Sequence, residues 1–411
     1  MDSTLAQPLK LKCGLVLKNR LVKAAMAECM ADNSGLPTVK HNNIYREWGE
    51  GGWGMILTGN VQVDSMYLGD ARDVTINPAQ EAEILEKWKI WAESCTSSGT
   101  PTVMQINHPG RQSPLGAGSR GLCGQNIAPS AIPLDLGSGF VARFASSYIF
   151  GKPREMTLED IEQVVKQFVD CSRLALKAGF QGVEIHAAHG YLLAQFLSSK
   201  TNQRTDGYGG SAEGRARIVV EIVDAIRKAL PADFCVGIKL NSTDHQSREA
   251  LSDFVVQLRT IVEAGVDFVE ISGGSYEDPQ MMQASTQIQK EKSSRTNARE
   301  AFFLEFASAI RHEFPTVPLM VTGGFRTRDG MTRAIKSNAC DMVGLGRPAV
   351  LEPSLPRSII LNNEVSDEMA HVMTTPIAPT WYIKMTGVKS AGSGAESKWY
   401  SQQIQHKGSQ K

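Results

Sequence analysis

Ala178-Gly-Phe-Gln-Gly-Val-Glu-Ile-His-Ala-Ala-His-Gly-Tyr191 is the stretch on which the fold turns. Upstream, Thr157-Leu-Glu-Asp160 opens a helical pattern over residues 157–177, with a hydroxyl at the N-cap and acids in the first turn. Gly179 and Gly182 then punctuate the chain, as glycines do where a helix gives way to a strand. The apolar approach leads into a buried strand over residues 182–186. Just past it stand two imidazoles and a phenol, His186, His189 and Tyr191, within six residues.

The same alternation recurs along the chain. Strand-like apolar runs fall at residues 21–26, 55–58, 102–106, 182–186, 235–240, 268–271, 319–322 and 342–345. Helical patterns lie between them, at 157–177, 212–229, 252–263, 298–312 and 329–337. Eight such strands predict an α/β fold, a closed parallel (β/α)8 TIM barrel whose active site lies at the C-terminal ends of the strands. His186 falls at such an end. Residues 107–151, rich in Gly, Pro and Ser, are too long for a plain connection and read as a lid or capping insertion after the third strand. The barrel is expected over residues 1–373. Residues 374–411 read as a polar, partly disordered C-terminal tail, in which Trp381-Tyr382 and Trp399-Tyr400 are candidates to dock on the barrel.

Composition narrows the function classes. The chain has 411 residues, 42% hydrophobic and 21% charged, as expected of a soluble globular protein. Its formal net charge is +0, and no basic run is interleaved with aromatics, so a nucleic-acid partner is not expected. The first ten residues lack a signal-peptide pattern, and no apolar run would span a bilayer, which points to the cytoplasm. Seven scattered cysteines, with no Cys-x-x-Cys, read as thiols of a reduced compartment.

Locally, His186 and His189 allow three readings. They could donate to a developing oxyanion, supply half of a zinc site, or be structural. Tyr191 could deliver a proton. In Cys235-Val-Gly-Ile-Lys-Leu240, strand alternation puts Cys235, Gly237 and Lys239 on one face. A lysine inside a barrel strand demands a negative partner, either an anionic cofactor or an internal acid such as Glu184. The glycines of Val321-Thr-Gly-Gly-Phe-Arg326 and Met342-Val-Gly-Leu-Gly-Arg347 end the last two strands, where barrels commonly hold a phosphate, and Arg347 can add a bidentate contact. Gly49-Glu-Gly-Gly-Trp-Gly54 fits a dinucleotide pattern but precedes a strand, so it fails the context test. Asn241-Ser-Thr243 fits a glycosylation pattern and is discounted at a strand end.

Together these motifs resemble the Old Yellow Enzyme family of FMN-dependent NAD(P)H oxidoreductases, over roughly residues 5 to 355. The resemblance is carried by Lys18-Asn-Arg-Leu-Val-Lys-Ala-Ala-Met26, Gln105-Ile-Asn-His-Pro-Gly-Arg111, Ile127-Ala-Pro-Ser130 and residues 184–215. That last stretch contains His186-Ala-Ala-His-Gly-Tyr191, Asn202, Arg204-Thr-Asp206 and Tyr208-Gly-Gly210. Its His-His pair is similar to that of bacterial-type and fungal members.

The resemblance implies an ene-reductase that passes hydride from NADPH or NADH through FMN to an α,β-unsaturated carbonyl. Ala25, Met26, Ala27, Gly59 and Gln105 would hold the flavin ring, and Lys239 would lie near its N1–C2 edge. Gly323, Gly324, Gly346 and Arg347 would hold the phosphate. His186 and His189 would bind the substrate oxygen, and Tyr191 would protonate the carbon. Cys29 falls where some relatives place a substrate-facing tyrosine. No resident metal is implied. Members are often dimers or tetramers, so a homo-oligomer is compatible.

One departure concerns chemistry. Family members usually carry Thr or Cys where this chain has Ala27, and a methyl cannot donate to the flavin. The expectation is a more negative flavin potential. Three rival functions remain: a non-redox isomerase or cyclase on the same flavin scaffold, a zinc-dependent barrel lyase or hydrolase using the histidines, and a flavin-binding protein with a regulatory role, against which the intact Tyr191 argues.

Overall fold

The computed structural model describes residues 4–121, 124–137, 139–242, 248–272, 306–378 and 391–410. Eight parallel strands close into a barrel: β1 (Leu21–Lys23), β2 (Met55–Leu57), β3 (Thr102–Asn107), β4 (Gly182–Ala187), β5 (Cys235–Asn241), β6 (Phe268–Ser272), β7 (Leu319–Thr322) and β8 (Met342–Leu345). The neighbour order runs β4-β5-β6-β7-β8-β1-β2-β3, and β3 pairs back with β4. All eight expected strands are present, with β1 ending three residues earlier than its apolar run suggested, where the chain turns into the Ala24–Met30 segment.

Outer helices are α1 (Val39–Glu50), α2 (Glu81–Thr96), α3 (Leu158–Ala178), α4 (Ala212–Ala229), α5 (Arg248–Glu263), α6 at residues 306–313, α7 (Arg328–Lys336) and α8 (Arg347–Leu351). The first part of the expected helix over residues 298–312 lies outside the described residues. Thr157 and Asp160 form the capping box expected from sequence, and Gly179 closes α3 in the left-handed region at φ 100°. A side chain at that conformation would strain the backbone, which is why the α3–β4 joint carries glycine.

One apolar cluster fills the barrel floor: Val22, Met55, Leu57, Val103, Cys235, Phe268, Met320 and Met342, with Leu11 and Leu17 of an antiparallel hairpin plugging it from below. The larger cluster lies between the barrel and its helices. No helix among the described residues is long and apolar enough to cross a membrane.

The insertion after β3 is built rather than loose. Its strand Ile127–Ala128 pairs with Arg154–Glu155, and a helix spans Phe140–Ile149. Arg204 of the β4 motif donates to Pro129 O (3.1 Å) and Met156 O (2.6 Å), pinning the insertion to the barrel. Asn202 donates to Phe196 O and Tyr208 O. Several residues that make the β4–α4 motif specific are therefore scaffold.

The expectation of a partly disordered C-terminal tail needs correcting for residues 391–409, while Trp399-Tyr400 does dock on the core as expected. Ala391–Ser409 forms a nineteen-residue helix, α9, with Tyr400 and Ile404 fully buried in the core. It packs on α1 and α8. Its polar composition hid it, because few apolar positions anchor it and Gly392 and Gly394 depress its helix propensity. Trp381-Tyr382 lies outside the described residues.

Candidate active site

Strand alternation fixes which side chains enter the barrel. Above the apolar floor, β3 contributes Gln105, β4 Glu184, β5 Lys239 and β6 Glu270. Across strands, Glu184 lies opposite Gln105 and Gly237, and Lys239 opposite Glu270. Lys239 Nζ lies 2.8 Å from Glu270 Oε1, both side chains buried, and it donates to Gln105 Oε1 at 3.5 Å. The lysine does face inward, as the sequence implied, but its acidic partner is Glu270 rather than Glu184. Register explains this: Glu184 faces Gly237, two residues below Lys239, whereas Glu270 is directly opposite the lysine. Burial, reinforced by the Glu270 charge, holds the Glu184 carboxyl well above the usual carboxylate range. Burial thus disfavours the charged form of Glu184.

At the top of the barrel, His186 Nε2 and His189 Nδ1 are 3.0 Å apart. His189 Nε2 meets Ser272 Oγ at 3.2 Å. The His189 backbone sits in the left-handed region at φ 56°. It is held there because its N–H donates to Asn241 Oδ1 (3.0 Å) and its carbonyl accepts from Gln112 Nε2 (3.0 Å). The Tyr191 ring meets His186 edge-on at 4.8 Å. Burial pushes His186 well below the usual imidazole range and His189 down to about 3, with the Lys239 charge adding to both. Both rings are neutral at physiological pH. Neutral imidazoles in a dry site are good donors to an oxygen that gains charge.

For the zinc reading a third ligand is required. Among the described residues, the side chains grouped closely enough to share a metal are Cys13, Cys235 and Asp267. These lie at the opposite, N-terminal end of the barrel, so among the described residues the histidine pair has no completing ligand.

The residues expected to hold a flavin gather around this top layer. Ala25, Met26, Ala27 and Gly59 follow β1 and β2, while Gln105 and Lys239 form the polar floor. Gln105 Nε2 donates to Asn60 Oδ1 at 2.6 Å, which fixes its carboxamide. At the ends of β7 and β8, Gly323 (φ 120°) and Gly324 (φ 82°) take conformations that side chains avoid. A Cβ on Gly346 would come within 2.9 Å of Met26 Sδ, a contact that the flexible methionine side chain could relieve. Thr322 Oγ1 is buried beside them without a hydrogen-bond partner. A flat polar floor with a cation, next to a bare glycine rim with Arg347, fits FMN. The Arg347 guanidinium is oriented by Glu396 of α9, 2.8 Å from Nη1.

Several residues of the site were not expected from sequence. Ser272 and Asn241 position His189. Their signal was their place at strand ends, and Asn241 had been noticed only for a glycosylation pattern. Glu28 is buried and accepts from Tyr45 Oη, while Gly59 N donates to Tyr45 Oη at 2.9 Å and to Glu28 at 3.2 Å. Lys23 Nζ and His41 Nε2 lie 3.9 and 3.7 Å from the Glu28 carboxylate. This cluster fixes the β2 end where Gly59 sits. Cys29 lines the neighbouring cavity; burial, with Asp73 and Asp70 nearby, pushes its thiol up, so it is not a ready nucleophile. That cavity, about 520 Å³, runs from Tyr191 and Ala27 past Cys29 and Asn60 to the insertion at Leu136 and Phe150, and is walled by α9.

Comparison with known proteins bears on this site. A family model described as the NADH:flavin oxidoreductase / NADH oxidase family matches residues 4–364. The NADH-dependent flavin oxidoreductase iccE of Talaromyces variabilis is 49% identical over 412 residues, covering 98% of both chains. The NADH-dependent flavin oxidoreductase iliE of Hypocrea jecorina (strain QM6a) is 46% identical, covering 93% of this chain and 95% of its own. The fold matches that of the Old Yellow Enzyme homologue from Zymomonas mobilis, with TM-score 0.70 at 22% identity, covering 94% of this chain and 99% of that one. It matches that of morphinone reductase with TM-score 0.69 at 22% identity, covering 95% and 96%.

Proposed function

We propose that this chain, which belongs to the NADH:flavin oxidoreductase / NADH oxidase family of Old Yellow Enzymes, reduces the activated C=C bond of α,β-unsaturated carbonyl compounds with hydride from NADH or NADPH. FMN, when bound, relays that hydride from the nicotinamide to the substrate. The observation that carries the reading is the buried, neutral His186–His189 pair, whose His186 ring meets Tyr191, a residue that lines the cavity.

The roles of the chain's own groups follow from this geometry. Lys239 would steady negative charge at the polar edge of the flavin, while Gln105 and Gly59 hold its pyrimidine side. Gly323, Gly324, Gly346 and Arg347 would receive the phosphate. The histidines would donate to the substrate carbonyl oxygen, drawing electron density from its β-carbon. Tyr191 Oη would then deliver a proton to the α-carbon. Aimed donors of this kind supply much of the barrier lowering in dry sites.

Ala27 supports one second reading. Its methyl offers no donor to the flavin, which would make nicotinamide oxidation less favourable and suit an isomerase or cyclase that returns every electron. The test is anaerobic: add NADH to the holoprotein, follow the flavin absorbance, then add cyclohexenone. Bleaching followed by recovery on enone addition supports the ene-reductase. A flavin that NADH leaves oxidised would overturn it in favour of the non-redox reading.

A further inference from the structure

We propose that α9 forms a second substrate subsite, in which Lys398 and Gln402 receive a carboxylate or similarly strong acceptor on the substrate's tail. This rests on the enone reading of the histidine pair and extends it to substrate class.

The helix is fixed where it meets the site. Ser401 Oγ donates to Ala27 O at 2.7 Å, and Gln405 Nε2 donates to Glu28 O and Cys29 O, both at 3.0 Å. Tyr400 Oη accepts from Thr375 N at 2.8 Å. Near the far end, Asn43 Nδ2 donates to Gly408 O at 3.0 Å. α9 is thus a rigid wall rather than a mobile tail.

Ser397, Lys398, Ser401, Gln402 and Gln405 all line the cavity that begins at Tyr191 and Ala27. Ser401 and Gln405 are engaged in holding the β1 loop. Lys398 and Gln402, one helical turn apart on the same face, line the cavity, are exposed, and make no hydrogen bond or ion pair among the described residues. An ammonium and a carboxamide held side by side on a rigid wall are a recognition pair for an anionic oxygen.

Nearby charges agree. Arg72 also lines the cavity, and its Nη2 reaches Gln405 Oε1 at 3.4 Å, which adds a second cation on this side. The three acids in the lining are each engaged by donors of the protein: Glu28 accepts from Tyr45 Oη and Gly59 N. Asp73 accepts from Gln62, Gly69 N and Asp70 N, and Asp70 accepts from Arg72 N. The cavity, about 520 Å³ without flavin, extends from Ala27 and Tyr191 to α9. A substrate whose enone lies beside Tyr191 can extend a tail along this cavity toward α9.

The experiment uses the FMN-loaded enzyme and a matched probe pair: a straight-chain methyl enone with a terminal carboxylate on a pentamethylene tail, and its methyl ester. The wild type should prefer the acid in kcat/KM. Lys398→Met and Gln402→Leu should each lower the acid-to-ester ratio, the former by about tenfold or more, as expected for a lost charge-assisted contact. An unchanged ratio in Lys398→Met, with FMN content equal to wild type, overturns the subsite. Cyclohexenone is run alongside. If it fails to reoxidise the reduced enzyme, the enone reading itself has failed. The subsite is then read from perturbation of the flavin spectrum by the saturated acid and ester, where an equal response from the two overturns it.

Discussion

His186 Nε2 and His189 Nδ1 share one hydrogen bond at 3.0 Å, so one ring donates and the other accepts. His189 Nε2 also meets Ser272 Oγ, while His186 Nδ1 is buried without a partner. A buried orphan acceptor is easier to tolerate than an orphan donor, which favours the proton on His186 Nε2. A substrate carbonyl would then replace His189 Nδ1 as that proton's acceptor. His186→Ala should slow flavin reoxidation by cyclohexenone about 10²- to 10³-fold, with a smaller effect on reduction by NADH. Stopped-flow measurement of the two half-reactions checks this. Equal losses in both would mean the pair has no special role toward the substrate.

Lys239 and Glu270 form a buried pair beneath the proposed flavin site. Removing one partner leaves a charge without compensation, which typically costs about 3–5 kcal/mol. Glu270→Ala should therefore lower the urea midpoint strongly. The double variant Lys239→Met with Glu270→Leu should recover much of that loss while weakening FMN binding. Equal instability of the single and double variants would show that packing, not charge, accounts for the cost.

The barrel was legible because buried parallel strands are short apolar runs with clear punctuation, as at Gly179 and Gly182. The histidine pair and Tyr191 were legible because they sit on one continuous segment. What escaped depends on three-dimensional neighbours. Lys239 faces inward by its period-two pattern, but its choice of Glu270 over Glu184 is a matter of register between strands. Ser272 and Asn241 reach His189 from two other strands. α9 was missed because it is held by two buried apolar side chains and several polar contacts, a pattern that composition reads as a solvated tail.

That helix should respond to truncation of a single anchor. Ile404 is fully buried, and Ile→Ala in a core typically costs about 2–5 kcal/mol. Because α9 sits at the edge of the fold, the loss should appear first as local opening. Ile404→Ala should expose the helix to limited proteolysis and raise the KM of bulky enones. Unchanged cleavage at native temperature would argue that Tyr400 alone secures the helix.

Asp73 is the group facing the cavity that titrates near neutrality. Burial pushes its carboxyl up to about 7, opposed by donors from Gln62 and from the backbone of Asp70 and Gly69. Below that pH it is neutral; above it the carboxylate adds negative charge beside the substrate. The KM of an anionic enone should therefore rise as pH increases through about 7. In Asp73→Asn, whose Oδ1 can accept the same bonds, the rise should vanish. The histidines contribute no break here, since His189 stays neutral down to about 3 and His186 is also held neutral. A break that persists in Asp73→Asn would locate the titration elsewhere.

Ala27 carries the last prediction. Its carbonyl is already engaged by Ser401 Oγ at 2.7 Å, so the backbone at this position is fixed by α9. The side chain is exposed toward the cavity and is one of its lining residues. A threonine placed there would offer a hydroxyl to the flavin without disturbing that backbone bond. Donation to an oxygen that gains charge on reduction stabilises the reduced form and raises the potential. Ala27→Thr should therefore have a more positive midpoint potential than the wild type and be reduced faster by NADH, as measured by dye-coupled redox titration and stopped flow. If the potential falls or stays level, the missing donor does not govern how readily this enzyme accepts hydride.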